Sequence, residues 1–368
     1  MGVTVGSRNG LAKRAEAKIL SGERISPEEA RDLYSLPLPE LGILADARRR
    51  WKKKEAYGGD GERIVTYIVD RNINYTNVCN VGCRFCAFYR RQRDPDQYVL
   101  RPEQIGQKVA ELEAIGGTQI LLQGGHHPDL GIDYYLELLH YLKEKHPRIN
   151  VHGFSPPEFV HFSRTFAMPL EEVLRRFRDA GLGSIPGGGA EILVDEVRRR
   201  IAPLKCTAGQ WLEVMRTAHR LGLRSTATMM FGHVETLEDR IEHLRRLREL
   251  QDETGGFTAF ICWTFQPDHT ALRVPKLGPS EYLRMQALSR IFLDNIDNIQ
   301  SSWVTQGPEI GQVALRFGAN DFGSVMMEEN VVSAAGTTFR MTAADIEDCI
   351  RDAGFVPKRR NNWYELLS

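Results

Sequence analysis

The sequence lacks a net charge: Lys plus Arg and Asp plus Glu each number 48 among 368 residues. No global field therefore draws it to nucleic acid or to an anionic membrane. It lacks any apolar run near the eighteen or so residues that cross a bilayer, and its first residues show no signal-peptide hydrophobic region. A soluble, cytoplasmic protein with no nucleic-acid partner and no stable membrane association is expected. Cysteine is scarce, with six in all, which argues against a disulfide scaffold and for a reducing compartment.

Three of those six stand together. Cys79, Cys83 and Cys86 have Cys-x-x-x-Cys-x-x-Cys spacing, which lets one loop bring three thiolates onto a single [4Fe-4S] cube. The missing fourth cysteine leaves one iron open to an exogenous chelator, as catalytic metal sites keep an open position. A zinc site completed by a distant His or by Cys206, Cys262 or Cys349 is the competing arrangement. Zinc sites, however, usually present paired Cys-x-x-Cys halves, and no second half exists here.

Around this loop the chain alternates strand-like apolar runs with amphipathic helices, the pattern of a parallel sheet built from βα units. Strands are expected over 64–70, 118–123, 149–154, 182–185, 224–231, 257–263, 298–302 and 318–321. Helices are expected over 102–116, 132–146, 168–180, 209–221, 236–252, 279–294 and 307–316. Eight strands fit a (β/α)8 TIM-type barrel; six would leave a partial barrel. Residues 1–60 read as a helical cap, with a capping box at Ser26-Pro27-Glu28-Glu29. The run Arg48 to Lys54 reads as a solvated helix face rather than a polybasic patch. Residues 61–340 form the barrel and 341–368 an extension packed on it, beginning with a helix at Thr342.

In such barrels the site lies in the loops after the strands. Gln123-Gly124-Gly125-His126-His127 follows the second strand, and Ser184 to Glu191, with Gly187, Gly188 and Gly189 in a row, follows the fourth. Consecutive glycines are costly to order unless something lies against the backbone. Met229, Met230 and His233 end the fifth strand. Trp263 to His269, including Asp268, ends the sixth and mixes aromatic with polar groups as an aromatic, hydroxylated substrate requires. Asn320 and Asp321 are expected at the same mouth.

The cysteine spacing, with Phe85 before the third Cys, is similar to that of the radical S-adenosylmethionine superfamily. The loops named above, with Phe154 to Glu158 and Gly318 to Gly323, extend the likeness over residues 10–368. Within the superfamily they resemble the cyclic dehypoxanthine futalosine synthases of menaquinone biosynthesis, whose relatives are the aminofutalosine synthases and the deazaflavin-cofactor enzymes. The resemblance implies a [4Fe-4S] cluster on Cys79, Cys83 and Cys86 that binds S-adenosylmethionine and cleaves it to a 5′-deoxyadenosyl radical. It implies Phe85 near the adenine and Gly124 and Gly125 at the methionine amino group, where His126 stands in place of the family's acidic residue and leaves the contact to backbone carbonyls and Gln123. From the residues themselves, Glu191 is the candidate for the ribose hydroxyls, since a carboxylate accepts from both, with Gly188 beside it and a helix N-terminal Glu as the alternative; Met229 is a candidate near the adenine, with core packing as its alternative. The substrate would be dehypoxanthine futalosine, losing hydrogen from C4′ and closing onto its benzoate ring. A flavodoxin or ferredoxin would supply the electron. Candidate bases are His126, His127, His233 and Asp268. An iron-sulfur or zinc protein without catalysis is the reading from a different class.

Overall fold

The computed structural model describes residues 14–367; the first thirteen residues of the expected cap, and Ser368, lie outside the described residues. Ten strands form one sheet: β1 Ile64–Ile68, β2 Asp70–Asn74, β3 Gln119–Gln123, β4 Asn150–Gly153, β5 Ser184–Ile185, β6 Arg224–Phe231, β7 Phe257–Thr264, β8 Asn298–Gln300, β9 Asp321–Ser324 and β10 Val356–Arg359. Every pairing is parallel, in the order β10-β1-β9-β8-β7-β6-β5-β4-β3-β2. β1 and β2 are one segment interrupted at Val69. Its first half pairs with β9 and β10, its second with β3. The sheet thus curls into a TIM-type barrel. Its hydrogen bonding is partial, thinning to one register pair at β4–β5 and at β8–β9.

Helices cover the outside because each presents an apolar stripe. In Leu170–Ala180 that stripe is Val173, Leu174, Phe177 and Ala180, all buried. The Ser26 capping box forms, its hydroxyl accepting from the Glu29 amide and the Glu29 carboxylate accepting from the Ser26 amide. Thr207, Thr236 and Thr342 open helices in the same way.

Four features depart from expectation. The basic run is solvated on one side only: Arg50 and Lys54 are exposed as expected, whereas Arg48, Arg49 and Lys53 of the helix Leu38–Lys53 are buried. Arg48 donates to the Glu23 carbonyl, Arg49 to Asp46 and the Glu62 carbonyl, and Lys53 to Asn298 Oδ1 at 2.9 Å. Arg48 thus braces the cap internally, while Arg49 and Lys53 tie it to the barrel. The ninth strand begins at Asp321, three residues later than expected, so Asn320 and Asp321 sit at the start of a strand and not at the mouth. Asn320 accepts from Arg290 and the Ile299 amide, while Asp321 takes both Nε and an Nη of Arg360. Helices Pro156–Thr165 and Asp195–Ile201 were not expected from the sequence pattern. The basic tail contains β10, which adds to the sheet beside β1.

Candidate active site

The barrel encloses a cavity of about 460 Å³, bounded at one end by the cysteine loop. Period-two alternation decides which strand residues face it: Asp70, Asn72 and Asn74 from β2, Gln119, Leu121 and Gln123 from β3, and Thr226, Thr228 and Met230 from β6. Seven of these nine strand side chains are polar, while the loops add an apolar lining that includes Phe85, Trp263 and Phe265. The strand face suits a hydroxylated, charged ligand.

Cys79, Cys83 and Cys86 all line the cavity, together with Phe85. The loop that carries them is anchored at both ends. The Cys79 amide donates to the Arg90 carbonyl at 2.9 Å, and Arg91 caps the Cys79 carbonyl at 3.1 Å. Burial pushes the Cys83 thiol up to about 12 and raises that of Cys86, and iron binding is what would deprotonate such thiols. Cys206, Cys262 and Cys349 do not line this cavity. Cys262 is turned outward to Gln286, and Arg198 lies on Cys206, so neither supplies a fourth thiolate at the loop. Three thiols on one loop, facing a cavity with no fourth cysteine in its lining, fit a cluster with an open iron.

The glycines show why the loops can meet. A Cβ on Gly125 would come within 2.1 Å of the Val78 carbonyl oxygen, and one on Gly188 within 2.3 Å of Gln123 Nε2. Gly125 thus lets the turn after β3 lie against the cysteine loop, and its amide donates to the Thr76 carbonyl at 3.0 Å. Glu158, 1% exposed, completes the junction. Its Oε1 accepts from Tyr75 Oη at 2.8 Å and the Gly124 amide at 3.1 Å, and its Oε2 accepts from the Ser155 amide and hydroxyl at 2.7 and 2.6 Å. Burial raises its pKa against those hydrogen bonds.

Glu191 lines the cavity with a left-handed backbone, φ 42°, a conformation that costs a non-glycine residue about 1–3 kcal/mol and clusters at functional sites. Its carboxylate is 3.0 Å from Lys205 Nζ and 3.6 Å from Arg198. Lys205, absent from the sequence-derived candidates, lies 5.1 Å over the Phe85 ring. Burial would lower its pKa, but Glu191 outweighs that and raises it, so it stays charged. Sequence gave no spacing signal for it; the capping box at Thr207 marks only the helix after it.

Of the other candidates, Gln123, Gly124, Gly125, His126 and Gly188 line the cavity. Met229, His127, His233 and Asp268 do not. Met229 is fully buried on the outer face of β6, and its neighbour Met230 faces in. His127 shapes the turn, accepting from the Asp129 amide and, at its carbonyl, from His161. His233 donates from Nε2 to the Met230 carbonyl and lies 2.9 Å from Glu235. Burial raises the Glu235 pKa, but His233 and Arg240 bring it down to about 2. Asp268 is exposed, beside Gly336. His126 stacks on His161 with centroids 5.0 Å apart, and burial drives its pKa well below the usual imidazole value.

Comparison with known proteins agrees with this geometry. The chain is 48% identical over 98% of its length to a cyclic dehypoxanthine futalosine synthase of Halalkalibacterium halodurans, covering 95% of that protein. The radical SAM superfamily model matches residues 73–247. The chain is a radical S-adenosylmethionine enzyme. Enzymes of this superfamily use a [4Fe-4S] cluster and S-adenosylmethionine. The CofH/MqnC C-terminal region matches residues 254–368. A second cyclic dehypoxanthine futalosine synthase, from Streptomyces coelicolor, is 49% identical over 94% of the chain and 86% of its own. An aminodeoxyfutalosine synthase of Thermus thermophilus is 41% identical over 93% and 90%. Among solved structures, methylornithine synthase shares the radical SAM fold at TM-score 0.71 and 18% identity, over 94% of this chain and 97% of that one.

Proposed function

We propose that this enzyme converts dehypoxanthine futalosine to its cyclic product. The net change removes one hydrogen from C4′ and one from the benzoate ring and joins the two carbons. The observation that carries the reading is the near full-length 48–49% identity to two cyclic dehypoxanthine futalosine synthases. The barrel cavity, with the cysteine loop at one end and both aromatic and polar side chains on its wall, supports it. With cluster and S-adenosylmethionine bound, reductive cleavage supplies a 5′-deoxyadenosyl radical.

The chain's own residues divide the remaining work. Cys79, Cys83 and Cys86 hold the cluster. Gly124 and Gln123 meet the methionine end of the cosubstrate, and Phe85 and Met230 flank the adenine. Glu191, held by Lys205, accepts from the ribose hydroxyls. Trp263 and Phe265, both lining the cavity, pack the benzoate ring. Lys205 and Arg360, both lining the cavity, are held by Glu191 and Asp321. His126, kept neutral by burial, takes the ring proton, and the electron released with it would return to the oxidised cluster. A flavodoxin or ferredoxin delivers the electron at the cluster.

The test is anaerobic: reconstituted enzyme, reductant, S-adenosylmethionine and dehypoxanthine futalosine, with 5′-deoxyadenosine and substrate mass followed together. Formation of 5′-deoxyadenosine with loss of two hydrogens from the substrate is the expected result. Cleavage of S-adenosylmethionine with the substrate unchanged would retain the family and overturn the substrate.

A further inference from the structure

The cysteine loop has an outer face as well as an inner one. Its thiols line the barrel cavity, while Asn80 and Arg84 of the same loop, and Arg91 just after it, are exposed. Beside that outer face lies a second depression, of about 390 Å³. Asn80 and Val81, between the first and second cysteines, line one part of it, and Val160, His161 and Arg164 another. Leu204 also lines it and is 67% exposed, a large apolar side chain left in water.

The charge around this face is mostly positive. Arg84, Arg91, Arg164 and Arg200 are all exposed, and none makes an ion pair with an acidic side chain among the described residues. Arg84 donates to the Arg200 carbonyl at 3.2 Å, Arg200 to the Val234 carbonyl at 2.9 Å, and Arg91 to the Cys79 carbonyl at 3.1 Å. Carbonyls orient these guanidinium groups without neutralising them. Among the acids close by, Asp96 is spent on Arg90 and Glu196 on Arg199, which leaves Asp94 and Asp129 against the four arginines. In a chain whose charges balance overall, this is a local field placed over the loop that carries the cysteines.

An apolar centre inside a charged rim is the anatomy of a protein interface. A nucleic-acid backbone would use the arginines and leave Leu204 in water. A partner seated on Asn80 and Arg84 lies one loop's thickness from the thiols. We propose that this face is the docking surface for the electron carrier, an acidic protein whose negative patch meets Arg84, Arg91, Arg164 and Arg200 and whose apolar edge covers Leu204. The carrier gives up one electron across the cysteine loop and leaves oxidised by one electron. This rests on the reading above that a carrier protein delivers the electron at the cluster. Encounters of this kind bury little area, less than about 1,200 Å², and are steered by charge.

The test uses the full, cluster-reconstituted chain and a purified acidic flavodoxin. The Kd of oxidised flavodoxin is measured by calorimetry at about 50 and 200 mM salt, where screening lengths differ, and S-adenosylmethionine cleavage is followed with reduced flavodoxin or with excess dithionite. Wild type should bind, more weakly at the higher salt. Arg84→Glu, Arg164→Glu and Leu204→Asp should each raise Kd about tenfold and slow flavodoxin-driven cleavage by the same factor. Dithionite-driven cleavage should stay at the wild-type level, which shows that chain and cluster are intact; Arg84→Gln and Arg164→Gln replace any variant that fails this check. Unchanged Kd and flavodoxin-driven rates would overturn the surface, as would an equal loss in Lys54→Glu, on the cap. A wild type that binds neither flavodoxin nor ferredoxin while dithionite drives it overturns the carrier reading, and the surface with it. Because cleavage is read without dehypoxanthine futalosine, a failure of that substrate leaves the surface standing.

Discussion

Replacing Glu158 with Gln tests how the cosubstrate end of the barrel is built. The two carboxylate oxygens each accept from a backbone amide, Gly124 on Oε1 and Ser155 on Oε2. Hydroxyl groups can rotate to suit a new partner, but backbone N–H groups cannot. Whichever way a glutamine amide is turned, its NH₂ faces one of those N–H donors. One side of the junction must break. Leaving a buried N–H unsatisfied costs about 1–3 kcal/mol, and losing a hydrogen bond to a charged acceptor costs a similar amount, so about 2–6 kcal/mol of stability should go. With an unfolding entropy of about 2 cal/mol/K per residue, the melting temperature should fall by roughly 3–8 °C. Because Gly124 leads into the cavity-lining turn, the affinity for S-adenosylmethionine should fall with it, about tenfold. Calorimetric melting and equilibrium S-adenosylmethionine binding, both under anaerobic conditions, read the two effects. A variant that melts and binds like wild type would refute the junction.

Two further perturbations separate packing from chemistry. Met229→Ala should cost about 2–5 kcal/mol, as large-to-small core changes do, with kcat nearly kept; Met230→Ala should cost less stability and raise the KM for S-adenosylmethionine. Reversed effects in melting and steady-state assays would mean that the β6 facing is wrong. Burial brings the Lys53 pKa down to about 8. Between pH 8 and 10.5 the unfolded chain then holds more protons than the folded one, so this residue makes stability rise with pH there, by at most about 1.4 kcal/mol per unit, and depresses it below pH 8. Lys53→Met should flatten that slope relative to wild type in urea melts at successive pH values; an unchanged slope would sink the assignment.

The cysteine loop was legible because three thiols at fixed spacing have few other uses, and the strands because β-branched runs between helix signals allow one reading. Facing was harder. Met229 and Met230 are chemically equivalent, and a shift of one residue exchanges inside for outside. The Asn320-Asp321 pair was displaced for a similar reason, since Gly318 and Ala319 gave no cue to where the ninth strand begins. Charge misled at the basic helix: Arg48, Arg49 and Lys53 resemble a solvated stripe until the carbonyls and amides that receive them are brought in from residues 23, 62 and 298. Lys205 carries no local signature at all, because its significance lies in Glu191 and Phe85, brought to it from elsewhere in the chain.

The interrupted first strand sets a timetable for the newborn chain. Residues 64–68 are among the first of the sheet to leave the ribosome, yet their partners in β9 and β10 follow roughly 260 and 290 residues later, a wait on the order of 15–60 s at ordinary elongation rates. Until then an apolar strand edge stands open, the condition under which chains pair with the wrong neighbour. The barrel can be sealed only once β9 has emerged, so a chain cut short before residue 321 would be left with a sheet that cannot close.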